Sequence, residues 1–173
     1  MQMNRALISL LALGFASSAG AADLEKTASA AMQDREGKAL GTVTLTQMPK
    51  GVIMHIELTG LSPGWHAIHI HAVGKCEPPF TTAGGHFNPS NHKHGFAEGP
   101  HDGDLPNIFA DSNGQAATDM VTDRVSLVPG GANPGAFVLG PNGTSMIVHA
   151  AQDDYKTDPA GNSGERIACG VIK

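Results

Sequence analysis

Apolar and polar residues alternate along much of this chain in short runs, with turn-forming residues between them. Residues 39–46 read Ala-Leu-Gly-Thr-Val-Thr-Leu-Thr, and 52–58 read Val-Ile-Met-His-Ile-Glu-Leu. That two-residue period suits half-buried strands. Further strands are expected at 27–33, 65–71, 107–110, 115–125, 145–149 and 166–172. Turns are expected at 34–38, 48–51 and 61–64, and at the dipeptides Asn113-Gly114 and Asn142-Gly143. Strong helical periodicity, internal repeats and coiled-coil heptads are absent. With Gly at 22 and Pro at 11 positions and only 5% aromatic residues, the pattern predicts an all-β sandwich or barrel. Two segments, 72–106 and 150–165, show little regular pattern. Structureless stretches of that length in a compact domain are usually functional or disordered.

The N-terminus follows a different pattern. Arg5 precedes an apolar run over 6–16, and Ala19-Gly20-Ala21 places small residues before a cleavage point near Ala22. This predicts a secretory signal peptide over 1–21 and one domain over 22–173. The apolar run is too short to remain as a membrane anchor, so no stable membrane insertion is expected once the leader is gone. No cysteine stands at the junction, which argues against a lipid anchor. Export to a bacterial periplasm is the expectation, and it changes how the two cysteines read. In an oxidising compartment Cys76 and Cys169 have only each other, so a disulfide between the irregular segment and the last strand is expected. Loss of the leader removes one basic residue and no acidic one. The mature chain then carries 10 basic against 16 acidic side chains, a net charge of −6 with histidine neutral. No basic run exists to track phosphates, so nucleic acid is a poor candidate partner.

The histidines carry the chemistry. Seven of nine fall between His66 and His101, and His149 stands far downstream. In a strand, His69 and His71 point to one face, their attachment points roughly 6.5–7 Å apart. Two imidazoles can then converge on one ion, and imidazole suits Cu, Zn, Fe and Ni. His86 follows Gly84-Gly85, and His94, His101 and Asp104 complete the run. His66 shares strand parity with Ile68 and Ile70 and reads as a core-side structural residue. His55 and His92 read as structural or exposed. Trp65 and the scattered methionines read as packing residues, with no Met-rich copper-handling tract.

Over nearly its whole mature length the chain resembles the secreted bacterial copper–zinc superoxide dismutases. The matching blocks are His66-Ala67-Ile68-His69-Ile70-His71, Gly84-Gly85-His86-Phe87-Asn88-Pro89, Lys93-His94-Gly95, His101-Asp102-Gly103-Asp104-Leu105, Val148-His149, and Gly164 to Ile172 through Arg166 and Cys169. The resemblance implies a Greek-key β-barrel, a flattened sandwich of about eight antiparallel strands, with two long loops over the site. It implies one copper per chain on His69, His71, His86 and His149, and one zinc on His86, His94, His101 and Asp104. His86 bridges the two as an imidazolate, and Asp153 is the carboxylate linking ligands of both metals. It also implies dismutation of superoxide to dioxygen and hydrogen peroxide as antioxidant defence outside the cytoplasm. Arg166 attracts and orients the anion, and His86 moves a proton. The division suits the metals, since a zinc with four protein ligands is normally structural and copper can carry the redox step. The oligomeric state is left open, a homodimer included.

The chain departs from the family in places. Ala67-Ile68 replaces the usual Gly-Phe, which puts a methyl near the His69 and His71 face. The segment from Cys76 to His86 is short and has no lysine after Cys76, so Lys156 is the candidate for a steering role. Two other classes compete with the enzyme reading. An exported metal carrier would lack a copper ligand or the arginine, and neither is lacking. A zinc hydrolase would need an open zinc position, which Asp104 fills.

Overall fold

The structure, a computed structural model, describes residues 26–173 except 96, 98, 132 and 134, so the expected leader lies outside the described residues. Nine strands follow in chain order: β1 (Thr27–Asp34), β2 (Ala39–Met48), β3 (Gly51–Leu58), β4 (Gly64–His66), β5 (Ile68–His71), β6 (Ile108–Ala110), β7 (Ala116–Thr122), β8 (Thr144–His149) and β9 (Arg166–Ile172). Seven of them form one antiparallel sheet in the order β5-β8-β9-β1-β2-β3-β7, and β4 and β6 form a small second sheet. β6 packs beside β7, while β4 runs on into β5. The small sheet therefore joins the two edges of the large one, and edges are where unpaired backbone would otherwise face water. Because β3 pairs with β7 rather than with its chain neighbour β4, the connection is of Greek-key type.

Alternation fixes which face turns inward. On β1, Ala28, Ala30 and Met32 are buried between exposed neighbours. On β2 the period slips: Leu40, Val43 and Leu45 are buried. The register shift between Met32 and Gln33 accounts for the slip, a bulge that resets the parity. These side chains meet Met54, Ile56, Ile68, Ile70, Ile108 and Met146 in the main core. Full burial of each Val, Leu, Ile or Met among them is worth about 1.5–3 kcal/mol before entropy is counted. A separate cluster of Phe80, Ala83, Ile147 and Cys169 lies under the loop that the Cys76–Cys169 disulfide ties to β9.

The structure corrects the sequence reading in three places. The histidine strand is two strands, broken at Ala67, whose N–H donates to Ala151 O and whose carbonyl accepts from His149 N. β4 thus pairs with β6 and β5 with β8, because the chain turns a barrel corner there. The strand expected over 115–125 ends at Thr122, and the 123–143 stretch is a third long irregular segment. Trp65 and Met48 are not core residues. Trp65 is 54% exposed and packs edge-on against Phe109, itself 53% exposed, with ring centroids 5.1 Å apart.

Candidate metal centre

β5 serves two faces at once. Ile68 and Ile70 enter the core, while His69 and His71 project the other way and are covered by loops to 0% and 1% exposure. β8 pairs with β5 and ends at His149, which joins them from the adjacent strand. The 72–106 loop bends through a short 3₁₀ turn at Thr81–Ala83 and returns His86 to an isolated bridge with His71. Farther along that loop come His94, His101 and Asp104, the last bridged to His69. Two donor groups result, His69, His71, His86 and His149 in one, His86, His94, His101 and Asp104 in the other. Within each group the donor atoms lie within 4.8 Å of one another. His86 belongs to both.

Hydrogen bonding decides which ring nitrogen remains free. His71 donates from Nδ1 to Gly84 O at 3.0 Å, and His149 Nδ1 lies 3.1 Å from Ser163 Oγ and 3.3 Å from Gly164 O. His69 donates from Nε2 to Asp153 Oδ2 at 2.8 Å, and His94 from Nε2 to Asp153 Oδ1 at 3.0 Å. The opposite nitrogens of all four rings are buried without a hydrogen-bond partner, as is His86 Nε2. Buried polar atoms are rarely left unpaired in proteins; four of these nitrogens belong to the first donor group and His94 Nδ1 to the second, which fits a cation in each. His94 Nδ1 lies 3.0 Å from Asp104 Oδ2 yet makes no hydrogen bond to it. Both residues belong to the second donor group. His86 Nδ1 reaches Asp104 Oδ1 at 2.7 Å and His101 Nδ1 at 3.4 Å. His86 therefore turns one nitrogen to each group.

Burial and neighbouring charge set the protonation states. Burial lowers the pKa of His69 to about 4 against the pull of Asp153, and that of His149 to about 3. Burial likewise holds His71 well below the usual value. These rings are neutral at pH 7, the state in which imidazole ligates. Burial opposes ionisation of Asp153, but hydrogen bonds from His69, His94 and Tyr155 N outweigh it and keep the carboxyl ionised. Asp104 is held down in the same way by His86 and the neighbouring histidines. Asn107 brackets the backbone of Asp153, its Nδ2 donating to Asp153 O at 2.9 Å and its Oδ1 accepting from Asp153 N at 2.8 Å. Gly161, with φ +63°, has no room for a Cβ, which would strike the Asp153 carboxylate and His94 Nε2.

Beside the first group opens a cavity of about 380 Å³ lined by His71, His86, His149, Pro159, Gly164 and Arg166 among others. Arg166 donates from Nη1 to Phe80 O at 2.6 Å and from Nη2 to Gly84 O at 2.7 Å. Gly84 O also accepts from His71, so the guanidinium and one imidazole are registered on a single carbonyl. Lys156 is exposed in the second loop and does not line this cavity.

His66, 1% exposed, lies outside both groups. Its Nδ1 bonds His149 O at 2.7 Å and its Nε2 bonds Ser62 O at 2.7 Å, so it is structural. His55 is exposed against Asp119, and His92 is exposed with Nδ1 3.1 Å from Pro100 O. Sequence reasoning missed Asn107, Ser163 and Gly161. Each touches the site through long-range packing, which leaves no local signature.

Comparison with known proteins agrees with this arrangement. The family profile "Copper/zinc superoxide dismutase (SODC)" matches residues 39–172. "Superoxide dismutase [Cu-Zn] 1" of Aquifex aeolicus is 44% identical over 144 residues, covering 81% of this chain and 83% of that protein. "Superoxide dismutase [Cu-Zn]" of Caulobacter vibrioides is 44% identical over 151 residues, covering 85% and 86%. Among solved structures, a SOD-like protein from Bacillus subtilis superposes with a TM-score of 0.79 at 38% identity, covering 84% of this chain and 97% of that one.

Proposed function

The chain belongs to the copper/zinc superoxide dismutase family, and on that premise we propose how its residues divide the reaction and where the protein works. The reaction is dismutation, in which two superoxide anions and two protons become dioxygen and hydrogen peroxide. Bound copper supplies the one-electron oxidation and reduction, and bound zinc, which has no redox chemistry, supplies charge and order. His69 Nδ1 and the Nε2 atoms of His71, His86 and His149 would hold the copper. His86 Nδ1, His94, His101 and Asp104 would hold the zinc.

The observation that carries this assignment is that His86 alone stands in both donor groups. Its Nδ1 is committed to the Asp104 side, so Nε2 is the atom that takes up and releases a proton in each cycle. Arg166 is a fixed cation at the cavity. A guanidinium presents paired donors suited to a small anion, and its carbonyl anchors keep it from folding onto the imidazoles. Asp153 holds one ring of each group at a set angle, and such carboxylates raise the basicity of the rings they bond.

The leader expected at 1–21 and the Cys76–Cys169 bridge support a periplasmic site of action, where the enzyme would serve as antioxidant defence. The test is superoxide decay in the native protein and in His149→Ala, each loaded with copper and zinc. The native protein should show a copper-dependent rate that His149→Ala largely loses, and equal rates would overturn the proposed copper set. Fractionation of the producing cell should place the processed chain, beginning near Ala22, outside the cytoplasm.

A further inference from the structure

An arginine outside both donor groups ties one of them to the barrel. Arg124 lies just past the end of β7 and donates from Nη2 to the backbone carbonyl of Asp104 at 2.5 Å, while its Nε is buried without a partner. The Arg124 backbone is itself gripped. Its carbonyl accepts from Asn133 Nδ2 at 2.6 Å, and its N–H donates to Thr122 Oγ1 at 3.2 Å. Asn133 Nδ2 also reaches Asp102 Oδ1 at 3.4 Å. Asp102, 2% exposed, accepts from Ser90 N and Ser90 Oγ at 2.9 Å each. Two stretches of the 72–106 loop, one just after His86 and one holding His101 and Asp104, thus hang from a single bracket.

A carboxylate ligand is only as well placed as the backbone that carries it. Asp104 meets three rings: His86 Nδ1 at 2.7 Å, His94 Nδ1 at 3.0 Å and His101 Nδ1 at 3.4 Å. From below, Gly103 packs so closely on β5 that a Cβ there would strike Ile70 O. Its N–H donates to Phe87 O at 2.7 Å. From the side, the only side chain seen to hold the Asp104 carbonyl among the described residues is Arg124. A part-buried hydrogen bond from a charged donor is stronger than one between neutral groups, which favours one backbone position over its neighbours. An arginine present only to fill space would leave its donors to water instead of aiming one at a ligand's peptide.

We propose that Arg124 is a positioning residue of the zinc site: by pinning the Asp104 peptide it sets the carboxylate where three imidazole nitrogens converge, so the site is assembled before the ion arrives. The inference rests on the zinc assignment made above. Outer partners of metal ligands typically change metal affinity by about 10–100-fold when removed.

The test follows zinc release from the copper- and zinc-loaded protein to excess chelator. Cobalt(II), placed at the zinc site in a parallel sample, reports donor geometry through its visible absorption. Arg124→Met should release zinc at least about tenfold faster and shift the cobalt bands, and Arg124→Lys should recover part of the difference. Parent-like release and bands in Arg124→Met would overturn the proposal. If that variant does not fold, Arg124→Gln decides, since it keeps a polar side chain and loses the guanidinium. Faster release supports the proposal and the parent rate overturns it. Asp104→Ala tests the underlying assignment separately, because unchanged cobalt bands there would remove zinc from this cluster whatever Arg124 does.

Discussion

At the scale of single residues, function depends on atoms left unpaired by design of the surrounding fold. Gly161 shows how little slack exists. A methyl at that position would meet the Asp153 carboxylate and His94, and overpacking a filled site costs about 1–3 kcal/mol. Gly161→Ala should therefore lower the unfolding free energy by that order and weaken zinc retention, both measurable on the same preparation. Protonation gives a second expectation for the metal-free protein. His69, lowered to about 4, and His149, lowered to about 3, bind protons less readily folded than unfolded, where 6.5 applies. Below that value the unfolded chain binds more protons. The stability these rings confer is full above the ordinary histidine range and is lost as pH falls through it toward 4. Burial pulls His94 down, but Asp153 and Asp104 outweigh it and raise the ring, and Asp119 raises exposed His55. These two act in the opposite sense to His69, His71, His101 and His149, all lowered by burial. Chemical denaturation at about pH 7.5 and about pH 4.5 should show the metal-free protein less stable at the lower pH.

At the scale of elements, strands set spacing and loops deliver chemistry. The alternation of β5 was legible because its Ile68 and Ile70 face the core, which obliges His69 and His71 to share the other face. The break at Ala67 was not legible. The residue's hydrogen bonds go to Ala151 and His149, partners that no local pattern announces. The same holds for the segment after β7. Val125 is buried and reads as strand from its apolar character, but it lies past the end of β7, and Ser126 after it bridges Phe137 in isolation. The disulfide acts on an element too. It pins the loop bearing Phe80 and Gly84, whose carbonyls hold Arg166. Cys76→Ser combined with Cys169→Ser should lose about 2–5 kcal/mol of stability. Its activity should also fall at temperatures where the variant is still folded, and full activity there would show that the arginine keeps its place unaided.

At the scale of the whole molecule, a net-negative enzyme must collect a negatively charged substrate. Arg166 is the one arginine or lysine lining the cavity among the described residues, so attraction there is short-ranged and local. Losing a charge-assisted hydrogen bond of about 1.5–3 kcal/mol implies roughly ten- to hundredfold. Arg166→Ala should lower kcat/KM by that order, with copper and zinc content unchanged. Its rate should also respond less to added salt, which screens exposed charges over about 10 Å at 0.1 M. Pulse kinetics across ionic strength would check both.

By itself the sequence determined the all-β class, the face on which His69 and His71 stand, the pairing of the two cysteines and the family. Each is written in local periodicity, in composition, or in motifs whose order survives without coordinates. The tertiary structure alone decided which nitrogen of each ring stays free, that Trp65 lies at the surface, and that Arg124 and Asn107 brace residues far away in sequence. Those outcomes depend on contacts between distant segments. Closure of the barrel and burial of the loops create such contacts, and no window of neighbouring residues encodes them.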